Sequence, residues 1–342
     1  MCNIIFNNES FCGIKVWNES DLNLQNKFWY DEDNDLLKLY SVSNPANFYS
    51  NIELALRKHI INEDNKSYVT YVNLDLRYGS AHGIGGSNTN HIWVKCLDIS
   101  YIGGGDQRGG TGTVRYGNGV EFWNAAHDNI VERCTFNQIY DAALTAQGQD
   151  SLGFEVYNIY FRNNIINNSE YSFEYWERYG KTIAHDIYFE NNTCLNAGGG
   201  WGHSQRRDPN GTHLMLYNGN AKTSNVYIRN NIFYNSTNWA VRWTNANEVK
   251  NVIIDYNCWY ESSGILANIQ KISYDFATQW EEYRKASGQD AHSINKDPLL
   301  SPDFTLTKES PCKEAGISIT TIKDNFNGKT RPKGKRYNIG AF

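Results

Sequence analysis

The chain has 342 residues, a formal net charge of −5, 28 glycines against 6 prolines, 14% aromatic and 20% charged residues. An aromatic-rich chain with so little net charge is not intrinsically disordered, and no apolar run reaches the ~18 residues that a membrane span needs. A slightly acidic surface has no chain-wide means of neutralising phosphate, which argues against nucleic acid as a partner.

Residues 1–66 hold short strands at 27–31 and 36–41, with Asn44-Pro45 as a turn. The opening Asn3-Ile4-Ile5-Phe6-Asn7-Asn8 reads like text from the middle of a longer pattern. The first residues also lack the basic and apolar regions of a signal peptide. From residue 67 to 270 one phrase recurs: a small polar residue, Ile or Val, then an alternating strand often closed by Asn-Asn. Its leading residues are Val69, Ile92, Ile130, Ile159, Ile187, Val226 and Val252, spaced 23, 38, 29, 28, 39 and 26 apart. In each copy apolar and polar residues alternate, as in a strand buried on one face. Ile159, Phe161 and Ile165 are assigned to one side, Tyr160 and Arg162 to the other. A second strand precedes each phrase, at 83–85, 120–123, 144–147, 173–176, 214–217 and 241–244.

A repeat of this length with two or more short strands predicts one coil of a right-handed parallel β-helix, whose coils bury their apolar faces by stacking. Propeller blades need about 40–50 residues, more than most of these steps. Gly and Asn supply left-handed corners, and Pro would remove donors from the ladders. Asn163, Asn191 and Asn230 are predicted to stack as a corner ladder, with Cys96 and Cys134 in the same slot of earlier coils. The seven cysteines form no CxxC pair and read as buried free thiols. Residues 1–66 are then an entry region, 67–270 the core, and 271–342 a C-terminal helix with closing strands, in effect one domain. Residues 275–286 place Phe276, Trp280 and Tyr283 on one helical face, as a cover for strand edges.

The Asn-Ile-x-Ile-x-Asn-Asn coils, Asp297-Pro298-Leu299-Leu300, Ser310-Pro311-Cys312 and the closing Tyr337-Asn338-Ile339-Gly340-Ala341-Phe342 resemble the parallel β-helix proteins of the pectate-lyase-like superfamily. The likeness spans residues 28 to 342. It implies a monomeric enzyme acting on a polysaccharide or oligosaccharide outside the cytoplasm, with a leader missing from this chain. The superfamily holds lyases, glycosidases, epimerases and adhesins, so the reaction must come from the site.

On a solenoid, outward side chains of successive coils form columns about 4.8 Å apart per coil. The outward set on the early strands reads Gly85; Glu121 and Trp123; Thr145 and Gln147; Glu174 and Trp176; His213, Met215 and Tyr217; Arg242 and Thr244. The two longest steps come from loops at 103–119 and 198–212 that leave one corner, and the second brings Trp201, His203, Arg206, Arg207 and Asp208 together. Glu121 and Glu174 lie two coils apart, about 9.6 Å between backbones. Side-chain lean brings such a pair to the ~6.5–9.5 Å of an inverting glycosidase. Glu174, beside Tyr175 and Trp176, is the acid, and Glu121 activates water. Asp141 and Asp208 are substitutes for either role. Trp123, Trp176 and Trp201 stack on sugars, with Gln147, Tyr217 and Arg242 as further contacts. No cofactor or metal is required by this reading. The alternatives are a polysaccharide lyase and a non-catalytic glycan-binding β-helix. A lyase would draw its base and the neutraliser of a uronate from His213, Arg242, His203, Arg206, Arg207 and Tyr217, with Ca²⁺ held by Glu and Asp. His82 and His127 read as satisfied corner groups, and His59, His91, His185 and His292 as surface or turn residues.

Overall fold

Alternating β-branched and aromatic residues favour a pleated, half-buried backbone, and here they stack coil on coil. A computed structural model describes residues 3–107, 113–244, 251–262, 264–332 and 334–342. Three sheets wrap one interior as a right-handed parallel β-helix. Sheet I runs from Ile61–Asn62 through Ile84–Ser87, Val120–Trp123, Ala142–Gly148, Tyr171–Glu177, Thr212–Asn218 and Trp239–Trp243 to Ile265–Ile269. Sheet II holds the repeat phrases, from Thr70–Val72 to Val252–Asp255, and sheet III extends from Asp75–Arg77 to Ile294–Asn295. Register is kept from coil to coil. Ile84, Val120, Leu144, Phe173, Leu214, Val241 and Ala267 are successive partners in sheet I, and all are buried in one apolar cluster.

The interior is an aromatic column as well as an aliphatic one. Phe173 stacks on Phe189 at 4.9 Å, and Phe233 stacks on Trp259 at 4.3 Å. Each fully buried ring contributes about 1.5–3 kcal/mol by leaving water, which no single coil could secure alone.

The corners explain the asparagines. Asn158, Asp186 and Asn225, then Asn163, Asn191 and Asn230, then Asn168, Asn196 and Asn235 all hold positive φ between 51° and 58°. Asn and Asp tolerate this region better than other side chains. The buried ladder, however, belongs to the second Asn of each doublet. Asn164, Asn192 and Asn231 each donate their backbone N–H to the Oδ1 of the next, ending at Asn257, with bonds of 2.8–2.9 Å. Their Nδ2 groups donate to interior carbonyls of Val131, Phe161 and Phe189. The first Asn is left-handed and turns outward, which is why the expected ladder of Asn163, Asn191 and Asn230 is displaced by one residue. Cys134 takes the ladder slot, its N–H bonded to Asn164 at 2.9 Å, whereas Cys96 takes the left-handed slot at φ 56°. The six described cysteines are unpaired, and Cys2 lies outside the described residues.

Residues before Ile61 build a separate module rather than coils. Asn3–Phe6 is the centre of an antiparallel sheet between Phe11–Cys12 and Ile52–Ala55, so the opening segment is not coil text. A second small sheet joins Ile14–Lys15, Lys27–Asp31 and Leu36–Leu39. At the other end the helix spans Trp280–Ser287, shorter than 275–286 predicts, because Asp275 caps a tight turn at 277–278 first. Tyr283 is fully buried and donates to Asp290 at 2.7 Å, so the helix closes the end of the interior. The last 45 or so residues return along sheet III. There Ile165, Leu195 and Ala341 form a cluster with Phe304, Phe326 and Phe342. Ile165 therefore faces this strap, and Ile166 points inward in its place. Arg133, Asn163, Asn191 and Asn230 hold the strap by side-chain bonds to its backbone carbonyls.

Candidate active site

The strap covers sheet III, and loops and the N-terminal module border sheet I. A cleft of about 950 Å³ lies on the outer face of sheet I, within the usual size range of ligand sites. Parallel pairing sets Gly85, Glu121, Thr145, Glu174, Met215 and Arg242 in one column, and Ser87, Trp123, Gln147, Trp176 and Tyr217 in the next. Glu121 and Glu174 are thus two strands apart, as the repeat predicts, with about 9.6 Å between backbones.

The two carboxyls have opposite surroundings. Glu121 is 8% exposed. Burial works against its charge, but His82, Asn118 and His59 outweigh that and hold its carboxyl below the ordinary range. His82 Nε2 lies 3.1 Å from Oε1, and Asn118 Nδ2 donates to Oε2 at 2.7 Å. The Asn118 N–H donates to His82 Nδ1 at 2.9 Å, which leaves the Nε2–H to donate to the carboxylate. Glu174 is equally buried, but its surroundings are acidic. Burial first, then the charge of Asp141, push its carboxyl well above the ordinary range, against the pull of Arg206. Gln147 Nε2 donates to it at 2.6 Å. One carboxyl is thereby disposed to be charged and its neighbour to hold a proton.

Asp141 sits at the corner beneath the second long loop. Burial raises its pKa, partly offset by Arg206, whose Nη1 lies 3.1 Å away. Arg206 also lies over the rings of Tyr140 and Tyr171. The loop itself is pinned by Glu170, a residue not singled out in the sequence. Its Oε1 accepts the N–H groups of Asn210 and Gly211 at 2.6 and 2.8 Å, and its Oε2 meets His203 Nδ1 at 3.0 Å. Arg206, Arg207 and Asp208 reach the cleft wall, and Trp123, Gln147, Trp176 and Tyr217 line its floor. The Trp123 and Trp176 rings stand 5.8 Å apart. Residues 108–112 of the first loop lie outside the described residues.

Four expected residues lie elsewhere. His213 is fully buried, bonded to Ser172 at 2.8 Å and beside Phe233, and burial pushes its pKa down to about 3. Strict alternation fails at this point because sheet I bends: Ala143 and Leu144, Ala240 and Val241, and Leu266 and Ala267 are consecutive interior residues. Trp201 packs on Tyr140 and donates Nε1–H to the Gln138 carbonyl at 3.1 Å, outside the cleft. His203 is held by Glu170. Arg242 is turned aside to Asn210 and lies over Trp239. In their place the fold brings His82, Asn118, His59 and Tyr171 to the cleft. The signal was present in the spacing: His82 stands three residues before Gly85, as Asn118 stands three before Glu121, and the two strands are in register.

Among the described residues no group of three His, Cys, Asp or Glu side chains could hold a metal ion, and no helix is long and apolar enough to cross a membrane. No protein-family model, curated protein or solved structure matches this chain.

Proposed function

We propose that the chain is a carbohydrate-active enzyme of the pectate-lyase-like superfamily that hydrolyses a glycosidic bond in a polysaccharide or oligosaccharide. The observation that carries this reading is the pair of buried carboxyls, one held charged and one held protonated, two strands apart in an aromatic-floored cleft. Glu121 takes a proton from water as the water oxygen bonds to the anomeric carbon. Glu174 donates its proton to the departing glycosidic oxygen as the old bond breaks. Exchange with solvent then restores both groups. His82 and Asn118 keep Glu121 ionised and aimed, and Trp123 and Trp176 offer apolar faces to sugar rings. The two-strand spacing favours inversion at the anomeric carbon.

The lyase reading keeps Arg206, Arg207 and Tyr217 at the cleft, but of its other candidates His213 is in the interior, His203 is held by Glu170 and Arg242 is drawn to Asn210. Incubation with xylan, β-glucan, mannan and polygalacturonate separates the readings. Hydrolysis releases new reducing ends without unsaturated products, whose ultraviolet absorbance marks a lyase. Neither product, with retained binding, would replace both with the glycan-binding reading.

A further inference from the structure

The cleft does not end at the carboxyl pair. Towards the end of the solenoid it closes quickly: the columns that carry Glu174 and Trp176 continue as Met215, fully buried, and Tyr217, and Arg242 is drawn away to Asn210. Towards the start it stays open. Beyond Glu121 those columns hold Gly85 and Ser87. Gly85 leaves only tight space above it, since the His82 side chain lies 3.0–3.2 Å from the position of a Cβ. His82 in turn stacks on His59, centroids 4.8 Å apart and 9° from parallel. The floor on this side is therefore two flat imidazoles, bordered by Arg57, Asp64 and Tyr116.

This floor leads into a second cavity of about 590 Å³, which shares Arg57, His59 and Tyr116 with the first. Its far wall is Tyr30, Glu32 and Asp35 of the N-terminal module. The module is bound to both long loops. Lys15 pairs with Asp106 of the first. Gln205 of the second donates to the Gly13 carbonyl at 2.9 Å and accepts from the Lys15 N–H at 3.3 Å. Glu9 adds an ion pair to Arg77 at 2.6 Å and accepts, through its backbone carbonyl, from Tyr101. A module held at so many points presents a preformed wall, which limits the entropy lost when a ligand binds.

Resting on the hydrolase reading, we infer that the N-terminal module and the first coils form remote sugar-binding subsites, so that the enzyme prefers chains extending several sugars past Glu121 towards this end. Charged and aromatic groups on both sides of an elongated cavity suit the hydroxyls and ring faces of a saccharide. Contacts remote from the reacting centre contribute by orienting it.

The test uses the full chain and oligosaccharides of graded length made from whichever panel polysaccharide it cleaves. For wild type, kcat/KM should climb with length beyond the shortest substrate cleaved. Tyr30→Ala combined with Glu32→Ala, which line the second cavity alone, should lower kcat/KM for the long substrates roughly tenfold or more and leave the shortest one unchanged. A flat length dependence in wild type overturns the inference, and so does an equal loss on all lengths in the variant; either result leaves the hydrolase reading standing. No turnover on any member of the panel overturns both.

Discussion

The outer faces of sheets I and II are built on the same alternation and the same coil spacing, yet they carry different chemistry. On sheet II the middle coils repeat one another, and the charged column alternates in sign. Tyr160, Tyr188 and Tyr227 stack with rings 3° and 9° from parallel. Beside them Glu132 meets Arg162 at 2.8 Å, and Glu190 meets Arg229 at 2.6 Å. On sheet I the column does not repeat from coil to coil: it runs Gly85, Glu121, Thr145, Glu174, Met215 and Arg242. Glu121 meets His82, whereas Glu174 and the nearby Asp141 share Arg206 rather than each having a cation. Repetition suits stability, because every coil satisfies the next. Departure from it marks the face where perturbed groups gather, as functional sites do.

The largest effect should come from the irregular face. Glu174→Gln and Glu121→Gln should each lower turnover about 10²–10⁴-fold with little change in melting temperature. A Glu174→Gln protein that cleaves like wild type would remove the proposed acid. Wild-type activity should follow a bell in pH. It falls on the acid side as Glu121, held low, becomes protonated, and on the alkaline side as Glu174, held high, loses its proton. In His82→Ala the acid limb should move to higher pH, because the contact that holds Glu121 low is gone; an unmoved limb would separate it from the His82–Glu121 contact.

Next in size is the interior that both faces share. Asn231→Ala removes the side-chain partner of the Asn192 N–H and of the Phe189 carbonyl, and one of the two bonds of the Asn192 side-chain amide. Each such buried group costs about 1–3 kcal/mol, and denaturant unfolding should show the sum. A smaller effect, of opposite sign, is expected three residues beyond Glu174. Glu177 is 1% exposed, points to the interior beside Phe154, and neither of its oxygens has a hydrogen-bond partner among the described residues. Burial alone raises its pKa well above the ordinary value. The folded state therefore binds the proton more tightly than the unfolded one. Stability is greatest in acid and declines as pH rises above the unfolded value of 4.5 towards the raised folded one. Glu177→Met should stabilise the neutral protein by about 1–3 kcal/mol and flatten that decline. An unchanged pH slope would mean that Glu177 finds a partner. The smallest effect belongs to the regular face: Arg162→Ala should cost about 0–1 kcal/mol, since Glu132 keeps contacts to Lys95 and Trp93.

The comparison also shows which features were legible. The seven phrases sufficed for sheet II and for the coil count, because strand alternation is local and each copy checks the others. The Glu121–Glu174 spacing was legible for the same reason: it is a count of coils. His213 was not, since a bend in sheet I makes two consecutive residues interior, and alternation alone cannot place a bend. Trp201 and His203 were misplaced because a loop's conformation depends on distant anchors, here Gln138 and Glu170; Arg242 keeps its place in the column, but Asn210 of that loop draws its side chain aside. The Asn ladder was displaced by one residue because the doublet pattern does not say which Asn takes the left-handed corner.

Residue order alone was enough to read a parallel β-helix, corners turned by asparagines, and two glutamates in one column two coils apart. These follow from periodicities of the covalent chain and the fixed rise between stacked strands. The folded arrangement was needed to see that His82 and Asn118 hold one carboxyl below the ordinary range, that burial and then Asp141 raise the other, and that the N-terminal module walls a cavity joined to the cleft. Those outcomes depend on electrostatics and packing between residues far apart in the chain, which no local pattern encodes.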